Sequence, residues 1–525
     1  MMPTPTSPWA ASERKEATPA LPAAKPRTPR SRTELLLLSE QYAPRVLPAL
    51  LGTGDLTSLF LLNVFWVTNV TPLAAGGPAS FTYWLIGGTL FFIPCSLVLA
   101  QLAALFPSEG GIYAWTAHAF GPRWAFFVGI CAWLPGVLSI VNAAAAFVSC
   151  LQALNPSWLE ASWQQGLAIG GVLAFTALLS CQRTRRVQHV LNAAVVLMGV
   201  ATLLIGISAM IWLISGHPSA TSFVDASSWR VVPFGSQTNL ALLGSVVLAL
   251  MGSDMPLAMG AEITNRRAIP RHLAWGTLLT LGGYLLFTFA LLTVRGANAA
   301  TNTVNPLLLV VTTVDQVFGK VGGNIMALCL LFYFLMIPVA LNVCFSRLFL
   351  IAAIDGRVSV WFAKLNRTRV PVHALLTQIG IAAIFAAILY LLVPQIGLFG
   401  SPASFTSEAY NVLGASLLLV WAISFMFPFL DVAALFLKHR TIFRNLRVVP
   451  LPLLAVSVIG GTLMCVATII ITLFNSFIPT LIPDATWWYV VGGITLIWLT
   501  LCAIGSMVTN SQATWEQMSE IGGHP

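Results

Sequence analysis

Charged residues are scarce in this sequence. Only 8% of the 525 residues are charged, against about a quarter in soluble globular proteins. Hydrophobic residues make up 57%. A chain with so few charges cannot cover a surface that faces water, so the soluble globular classes are excluded. The expected surroundings are those of a lipid bilayer.

Metal-binding and catalytic motifs are also missing. The eight cysteines fall in or at the ends of apolar segments, and none has CxxC or Cys/His spacing. We therefore predict small buried thiols, with no metal and no cofactor. Neither an HExxH nor a GxSxG motif is present, and the one transmembrane acid near the midplane has no second acid for an aspartyl dyad. We predict that the protein is not an enzyme.

The formal net charge of +9 raises the question of a nucleic-acid partner. The basic residues do not form a continuous face, however, because they sit in short loops between apolar stretches. That distribution is typical of orientation in a membrane, so we predict contact with lipid and no nucleic-acid partner. The oligomeric state is left open.

Apolar stretches long enough to cross about 30 Å of hydrocarbon occur twelve times. They lie near 45–70, 81–105, 124–154, 164–181, 187–214, 237–261, 273–294, 322–353, 371–393, 409–437, 450–475 and 486–508. A further apolar stretch at 303–319 is shorter and contains Asp315, which favours an interfacial helix. The predicted fold class is an all-α polytopic membrane protein with twelve transmembrane helices.

The basic residues alternate between loops as the positive-inside rule requires. With the amino terminus inside, the outer loops contain only Arg230, Arg295 and Lys320. The inner loops contain Arg123, Arg183, Arg185, Arg186, Arg266, Arg267, Arg271, Arg357, Lys364, Arg367, Arg369, Lys438, Arg440, Arg444 and Arg447. We predict a multi-pass cell-membrane protein with both termini cytoplasmic.

The domain boundaries follow from composition. Residues 1–40 are rich in Pro, Ala, Ser and Thr, show no signal-peptide pattern, and are predicted to be a disordered cytoplasmic tail. Residues 41–510 form the predicted membrane domain, and 511–525 a second cytoplasmic tail. Within the membrane domain we expect one half at about 45–214, a second at about 237–437, and peripheral spans at about 450–508.

Two apolar stretches are interrupted by polar residues at matching places, five spans apart. The first interruption is at 65–72 and the second at 251–256. Pro256 lacks an amide hydrogen and clashes with the carbonyl of Gly252, so the second helix must break or kink. Broken helices at corresponding points of two halves indicate the midplane site of a transporter.

Asp254 lies within the second interruption, where a carboxylate is costly unless it has a function. Free amides at the start of a half-helix attract a carboxylate, and free carbonyls at the end of one attract an ammonium group. This combination suits a zwitterion such as an amino acid. The alternative is that Pro256 only kinks a packed helix and Asp254 meets a neighbouring polar group.

Three motifs resemble those of amino acid/polyamine/organocation (APC) permeases. They are Phe106-Pro-Ser-Glu-Gly-Gly-Ile-Tyr-Ala-Trp115 after span 2, Ala261-Glu-Ile-Thr-Asn-Arg-Arg-Ala-Ile-Pro-Arg271 after span 6, and Ser346-Arg347 through Asp355-Gly-Arg357 after span 8. The run Met251-Gly-Ser-Asp-Met255 is most similar to the bacterial glutamate/γ-aminobutyrate antiporter branch. The resemblance implies two inverted five-helix repeats (LeuT-like) with helices 1 and 6 broken, and alternating access around a substrate held by spans 1, 3, 6, 8 and 10.

The chain departs from the family pattern at two informative places. Span 1 lacks the Gly-Ser-Gly type run that binds a substrate carboxylate in many members, and Trp66-Val-Thr-Asn69 stands there instead. Span 5 has no lysine between Val187 and Leu213, where some proton-coupled members carry one. The second departure favours exchange over proton symport.

The candidate site residues fall into two groups. The predicted substrate-binding residues are Trp66, Val67, Thr68, Asn69, Met251, Gly252, Ser253, Asp254, Asn142 and Asn342. The predicted gating or conformational residues are Glu109 (from the resemblance), Tyr410 and Pro256. Core packing is the alternative for Trp66, and a helix–helix hydrogen bond is the alternative for Asn142 and Asn342. We expect Arg347 to snorkel to the cytoplasmic interface.

The function predicted from these features is secondary active transport of amino acids, as an exchanger. The alternative is a polyamine or other organic cation permease of the same fold, which would need more acidic side chains at the site than Asp254 alone. A nontransporting sensor would need a signalling domain, and the residues after the last span are too few for one.

Overall fold

The computed structural model describes residues 37–232, 239–301, 305–396, 402–476 and 482–522. The side chains of 396, 402–411 and 510–522 lie outside this description. The described chain is helical and forms no β-sheet, apart from two isolated backbone bridges. It confirms the all-α class.

Nine helices make up the first half of the described chain. They are α1 (Leu38–Val46), α2 (Thr53–Val64), α3 (Val70–Ala74), α4 (Ala79–Gly87), α5 (Ile93–Leu105), α6 (Ile112–Phe120), α7 (Pro122–Leu154), α8 (Ser162–Ser180) and α9 (Thr184–Ile214). One π-helical turn, Gly88–Phe92, joins α4 and α5 into a continuous rod.

Ten helices make up the second half. They are α10 (Ala241–Ala249), α11 (Ala268–Val294), α12 (Ala297–Thr301), α13 (Pro306–Ile354), α14 (Val372–Ala387), α15 (Val393–Ile396), α16 (Pro402–Lys438), α17 (Arg440–Asn445), α18 (Leu451–Phe474) and α19 (Asp484–Gly522). α13 kinks at Gly319, where φ is 69°, and its first segment is the short helix predicted at 303–319. α19 runs through most of the stretch predicted as a tail from 511 onward.

Ten helices in the described residues are long and apolar enough to cross a membrane. The other two predicted spans correspond to α8 and α10. α8 has 19 residues but begins with the polar Gln164 and Gln165. α10 has nine residues, about 14 Å of helix, and then loses helical geometry. Twelve spans and an inverted repeat therefore stay predictions.

The most buried long helices are α7, α13 and α16, each with 78% of its most apolar window covered by protein. α9, α14, α18 and α19 are the least covered, at 39%, 28%, 39% and 22%. In a bilayer the uncovered apolar faces contact lipid, so the first group forms the centre of the bundle and the second its periphery.

One end of the bundle gathers basic loops around α1. The Ser39 amide donates to the Asp355 carboxylate at 2.9 Å, and the Arg185 guanidinium donates to the Leu50 carbonyl at 3.4 Å. We call this the basic end; it comprises α1 and the segments 181–186, 258–271 and 355–371. Its charge is what the positive-inside rule predicts for a cytoplasmic face.

Glycines let α11 lie against α2, and this contact places α11 beside the first interruption. A Cβ at Gly276 would lie 2.4 Å from the ring of Phe60, and one at Gly283 would lie 2.5 Å from the ring of Phe65. Close packing through small residues replaces the hydrophobic driving force that lipid cannot supply.

This packing predicts a stability difference within one helix. Gly276→Ala forces the buried Phe60 ring to move, and overpacking of this kind costs about 1–3 kcal/mol. We expect the melting temperature of the detergent-purified protein to fall. Gly282, in the same helix, has no atom within 4 Å of its Cβ position. Gly282→Ala should leave the melting temperature unchanged or slightly higher, and equal effects of both changes would contradict the packing argument.

Candidate functional site: two broken helices and a buried charge triad

The first break separates α2 from α3. α2 ends at Val64, and Phe65 and Trp66 leave helical geometry with ψ angles of 83° and 105°. Helical geometry resumes in a 3₁₀ turn at Val67–Asn69. Val67 and Thr68 are the first residues of this new helical segment. Their amides therefore have no carbonyl one turn earlier in the segment to which they could donate a helical hydrogen bond. The break at 65–72 predicted from the sequence is thus present.

Two buried tyrosines donate to carbonyl groups at the first break. The Tyr333 hydroxyl on α13 lies 2.7 Å from the Leu61 carbonyl oxygen and 3.0 Å from that of Phe65. The Tyr284 hydroxyl on α11 lies 2.7 Å from the Val64 carbonyl oxygen. The Leu61 and Val64 carbonyls also accept from the backbone amides of Phe65 and Trp66, at 2.8 and 3.1 Å. The bond from Tyr333 to the Phe65 carbonyl matters most, because an unpaired carbonyl away from water costs several kcal/mol.

The second break follows α10. Gly252 has a φ of 105°, which favours glycine. Beyond it the chain forms only two short 3₁₀ turns, Met255–Ala258 and Gly260–Glu262. A Cβ at Gly252 would lie 3.1 Å from the carbonyl oxygen of Asn63. The two breaks therefore meet closely enough that a side chain at this position would crowd the first helix.

Tyr284 connects the two breaks through a single oxygen atom. Besides the Val64 carbonyl, its hydroxyl lies 3.2 Å from the carbonyl oxygen of Ala249, at the end of α10. It also accepts a hydrogen bond from the Trp66 amide at 2.9 Å. The ring stacks on Trp84, with centroids 4.3 Å apart, which fixes its position. Sequence reasoning missed this residue because its partners are up to 220 positions away.

Asp254 lies in the second break and is only 4% exposed. Its Oδ1 has no hydrogen-bond partner, and no salt bridge reaches it within the described ranges. The neighbouring Ser253 hydroxyl meets the Cys95 thiol at 3.5 Å, a contact that orients this segment against α5. A buried carboxylate with one unpartnered oxygen and no salt bridge is suited to pair with a cation from solution.

The other predicted substrate-binding residues of the breaks divide by burial. Val67, Met251, Gly252 and Ser253 are buried, whereas Trp66, Thr68 and Asn69 are half-buried. The Trp66 indole donates to the Leu62 carbonyl at 3.1 Å and packs edge-on against Phe334. Pro256 is buried at the start of the 3₁₀ turn that it initiates.

The two predicted asparagines lie in different surroundings. Asn142 on α7 is half-buried. Asn342 on α13 is fully buried, and its Oδ1 accepts a hydrogen bond from Gln378 of α14 at 2.6 Å. This bond is the helix–helix contact that the sequence offered as the alternative. Tyr410 lies outside the side chains that the structure describes, so its gating role stays a prediction.

A second charged cluster lies at the basic end and consists of Glu109, Glu262 and Arg347, which we call the triad. Arg347 donates from Nε and Nη2 to Glu262 Oε1, at 2.7 and 2.6 Å, and Nε lies 3.4 Å from Glu109 Oε1. All three side chains are at most 1% exposed. The expectation that Arg347 snorkels to the interface is therefore wrong, because two carboxylates hold its guanidinium inside the protein.

Backbone contacts join the segments that carry the triad. The Gly110 amide donates to the Ala258 carbonyl at 2.8 Å, and the Ala261 amide donates to Glu109 Oε2 at 2.8 Å. A Cβ at Gly260 would lie 2.2 Å from the carbonyl oxygen of Ser108, so only glycine allows this approach. The loop after α5 is thereby fixed to the end of the second break, and the conformational role of Glu109 stays a prediction.

Burial dominates the electrostatics of the triad. It raises the pKa of the Glu109 carboxyl well above its ordinary value, and the neighbouring Glu262 carboxylate raises that pKa further. Burial likewise raises the pKa of Glu262, against the opposing effect of Arg347. If all three side chains were ionised, the triad would contain two carboxylates and one guanidinium, which is a net charge of −1.

Sequence comparison places this helical membrane protein in the class of permeases. The chain matches the amino acid permease family over residues 51–518, and it belongs to that family. It is 25% identical over 365 residues to an uncharacterized transporter of Legionella pneumophila, covering 64% of this chain and 73% of that protein. It is 22% identical over 349 residues to the probable agmatine/putrescine antiporter AguD of Lactococcus lactis, covering 64% and 72%. It is 27% identical over 214 residues to a probable polyamine transporter of Arabidopsis thaliana, covering 40% and 41%.

The bridging tyrosine generates a prediction. Tyr284→Phe removes the hydroxyl and leaves the Val64 and Ala249 carbonyls and the Trp66 amide without it, which costs about 1–3 kcal/mol. We expect a clear fall in melting temperature together with slower transport. The control is Tyr83→Phe, which removes one hydroxyl contact, to Asn239 at 2.5 Å. A loss no larger for Tyr284→Phe than for the control would contradict the bridging role.

Proposed function

We propose that this protein is a secondary active transporter of amino acids that works by alternating access. In this proposal the basic end faces the cytoplasm, and the substrate binds where the two breaks meet. Family membership supports transport, and the close contact of the breaks supports a single central site. Transport of amino acids in particular rests on the chemistry of the site.

Asp254 is the observation that carries the proposal. Its carboxylate is buried, and its Oδ1 has no hydrogen-bond partner among the described residues. It lies two residues after Gly252, whose Cβ position is 3.1 Å from the Asn63 carbonyl oxygen, just before the first break. It is suited to bind the protonated amino group of a substrate. The amides at the start of the 3₁₀ turn, those of Val67 and Thr68, supply donors for a carboxylate, as the amino-terminal end of a helix does. Together they complement both charges of an amino acid.

We further propose that transport is by exchange. α9 contains no lysine, so no fixed ammonium group stands in for a coupling cation in span 5. Uptake of labelled amino acids into liposomes, driven by unlabelled substrate inside, tests the proposal. Absence of exchange with every amino acid and amine tried would contradict it.

Asp254→Asn should reduce uptake at least about tenfold, since loss of one charge pair with the substrate is worth 1.4 kcal/mol or more. The fold should persist, because asparagine has nearly the same shape and no ion pair is lost within the described protein. The matched control is Asp431→Asn, a buried acid on α16 whose carboxylate accepts from Thr116 at 2.9 Å, away from the breaks. Equal uptake by both variants would remove Asp254 from the substrate site.

A second candidate function is transport of polyamines or related amines. Two of the relatives are named as probable polyamine or agmatine/putrescine transporters, and Asp254 would bind an amine as well as an amino acid. Competition between substrates for uptake distinguishes amino acid transport from polyamine transport. Inhibition of uptake by putrescine and agmatine, but not by glutamate or neutral amino acids, would replace the first proposal by the second. A melting-temperature screen with the same compounds identifies a ligand independently of transport.

A further inference from the structure

The triad contains more negative than positive charge, and water does not reach it. Glu109 and Glu262 are 1% and 0% exposed, and Arg347 is 1% exposed. A net charge of −1 in such surroundings is costly, because burial removes hydration that a single guanidinium does not replace for two carboxylates. The cluster is therefore one positive charge short.

The hydrogen bonds are distributed unequally between the two carboxylates. Glu262 Oε1 accepts both bonds from Arg347, and Glu109 Oε2 accepts the Ala261 amide. Glu109 Oε1 and Glu262 Oε2 are buried without a hydrogen-bond partner. Glu262 is therefore ionised more readily than Glu109, because its charge-assisted hydrogen bonds from Arg347 favour the ionised form.

The titratable and charged groups that face the triad are few. Glu109 faces Glu262 and Arg347, and Arg347 also faces the Cys344 thiol one turn earlier on α13. Within the described part of the chain no second cationic side chain forms a salt bridge with either carboxylate. The missing positive charge must therefore come from solution.

We propose that the triad is a proton-binding site and that Glu109 Oε1 carries the proton while the basic end is closed. This rests on the proposed alternating access. When the basic end opens, water solvates Glu109, its O–H bond breaks and the proton passes to water. On closing, a proton from the same solution rebinds. No other bond changes.

The position of the triad makes it a gate. Arg347 of α13 holds together the loop after α5, through Glu109, and the end of the second break, through Glu262. The amides of Leu50 and Leu51, just before α2, donate to the Glu262 carbonyl at 2.8 and 2.9 Å. Opening of the basic end must separate these segments, and the proton determines how costly that separation is.

The direction of the pH dependence follows from linkage. The closed triad binds a proton more tightly than a solvated glutamate does, in agreement with the raised pKa of Glu109. Low pH therefore favours the closed basic end. That preference weakens as the pH rises above the ordinary glutamate pKa of about 4.3 toward the raised value.

A cavity of about 10 Å³ beside Arg347 provides a reporter position. It is lined by Ser180 and Met259 among others, and is close to the smallest volume that holds one water molecule. Ser180 is 1% exposed, and its hydroxyl has no partner in the described residues. A cysteine at this position should react with a hydrophilic maleimide only when the basic end is open.

The experiment measures labelling of Ser180→Cys in the full chain, in a Cys181→Ser background, across a pH series. Lys364→Cys, in an exposed loop of the basic end, is the control. Its labelling rate shows how thiolate formation alone changes with pH, and the Ser180→Cys rate is divided by it. We expect the corrected labelling rate to rise with pH by up to about tenfold per pH unit. Glu109→Gln, which mimics the protonated acid, should give low labelling independent of pH. Glu262→Gln, which removes the main partner of Arg347, should increase labelling.

The outcomes separate the proton site from the transport mechanism. Corrected labelling that is independent of pH in the parent protein, or that keeps the parent's pH dependence in Glu109→Gln, would overturn the proton site while leaving alternating access intact. No labelling at any pH, with or without substrate, would contradict opening of the basic end and thus the proposed function itself. The parent measurement decides the question even where a triad variant does not fold.

Discussion

In hydrocarbon there is no water to satisfy a backbone amide or carbonyl, so each must find its partner inside the protein. The rest of this structure depends on that constraint. It permits the long regular helices on the periphery and forbids an unsupported break in the centre. Where the chain does break, Tyr333 and Tyr284 supply hydroxyls to the carbonyls of Phe65 and Ala249. The breaks exist here because neighbouring helices support them.

The absence of water also makes a buried charge costly unless it has a partner. Asp254 and the triad are both buried, but they differ in whether a partner for their charge lies within the protein. In the triad Arg347 balances one of the two carboxylates and contacts both, and so connects the segments that carry them. Asp254 has no basic side chain as a partner among the described residues, and its Oδ1 accepts no hydrogen bond there. The triad thus connects segments of the protein, whereas the carboxylate of Asp254 connects none by a salt bridge.

Local patterns in the sequence predicted the class of fold and the two breaks, because proline and glycine act within one turn of helix. They did not predict Tyr284, whose contacts span 35 to 220 positions. Nor did they predict the burial of Arg347: an arginine near a helix end normally reaches water, and only the fold brings Glu109 and Glu262 to it. Residues whose role depends on distant partners need the structure.

Tyr284 has one hydroxyl hydrogen and two carbonyl oxygens within reach, those of Val64 and Ala249. The hydrogen can point fully toward only one of them at a time. If the hydrogen points to Val64, the Ala249 carbonyl loses its hydroxyl donor; if it points to Ala249, the Val64 carbonyl keeps the Trp66 amide at 3.1 Å. A rearrangement that moves the hydroxyl toward one helix end therefore weakens its bond to the other, so the two ends cannot move independently of each other.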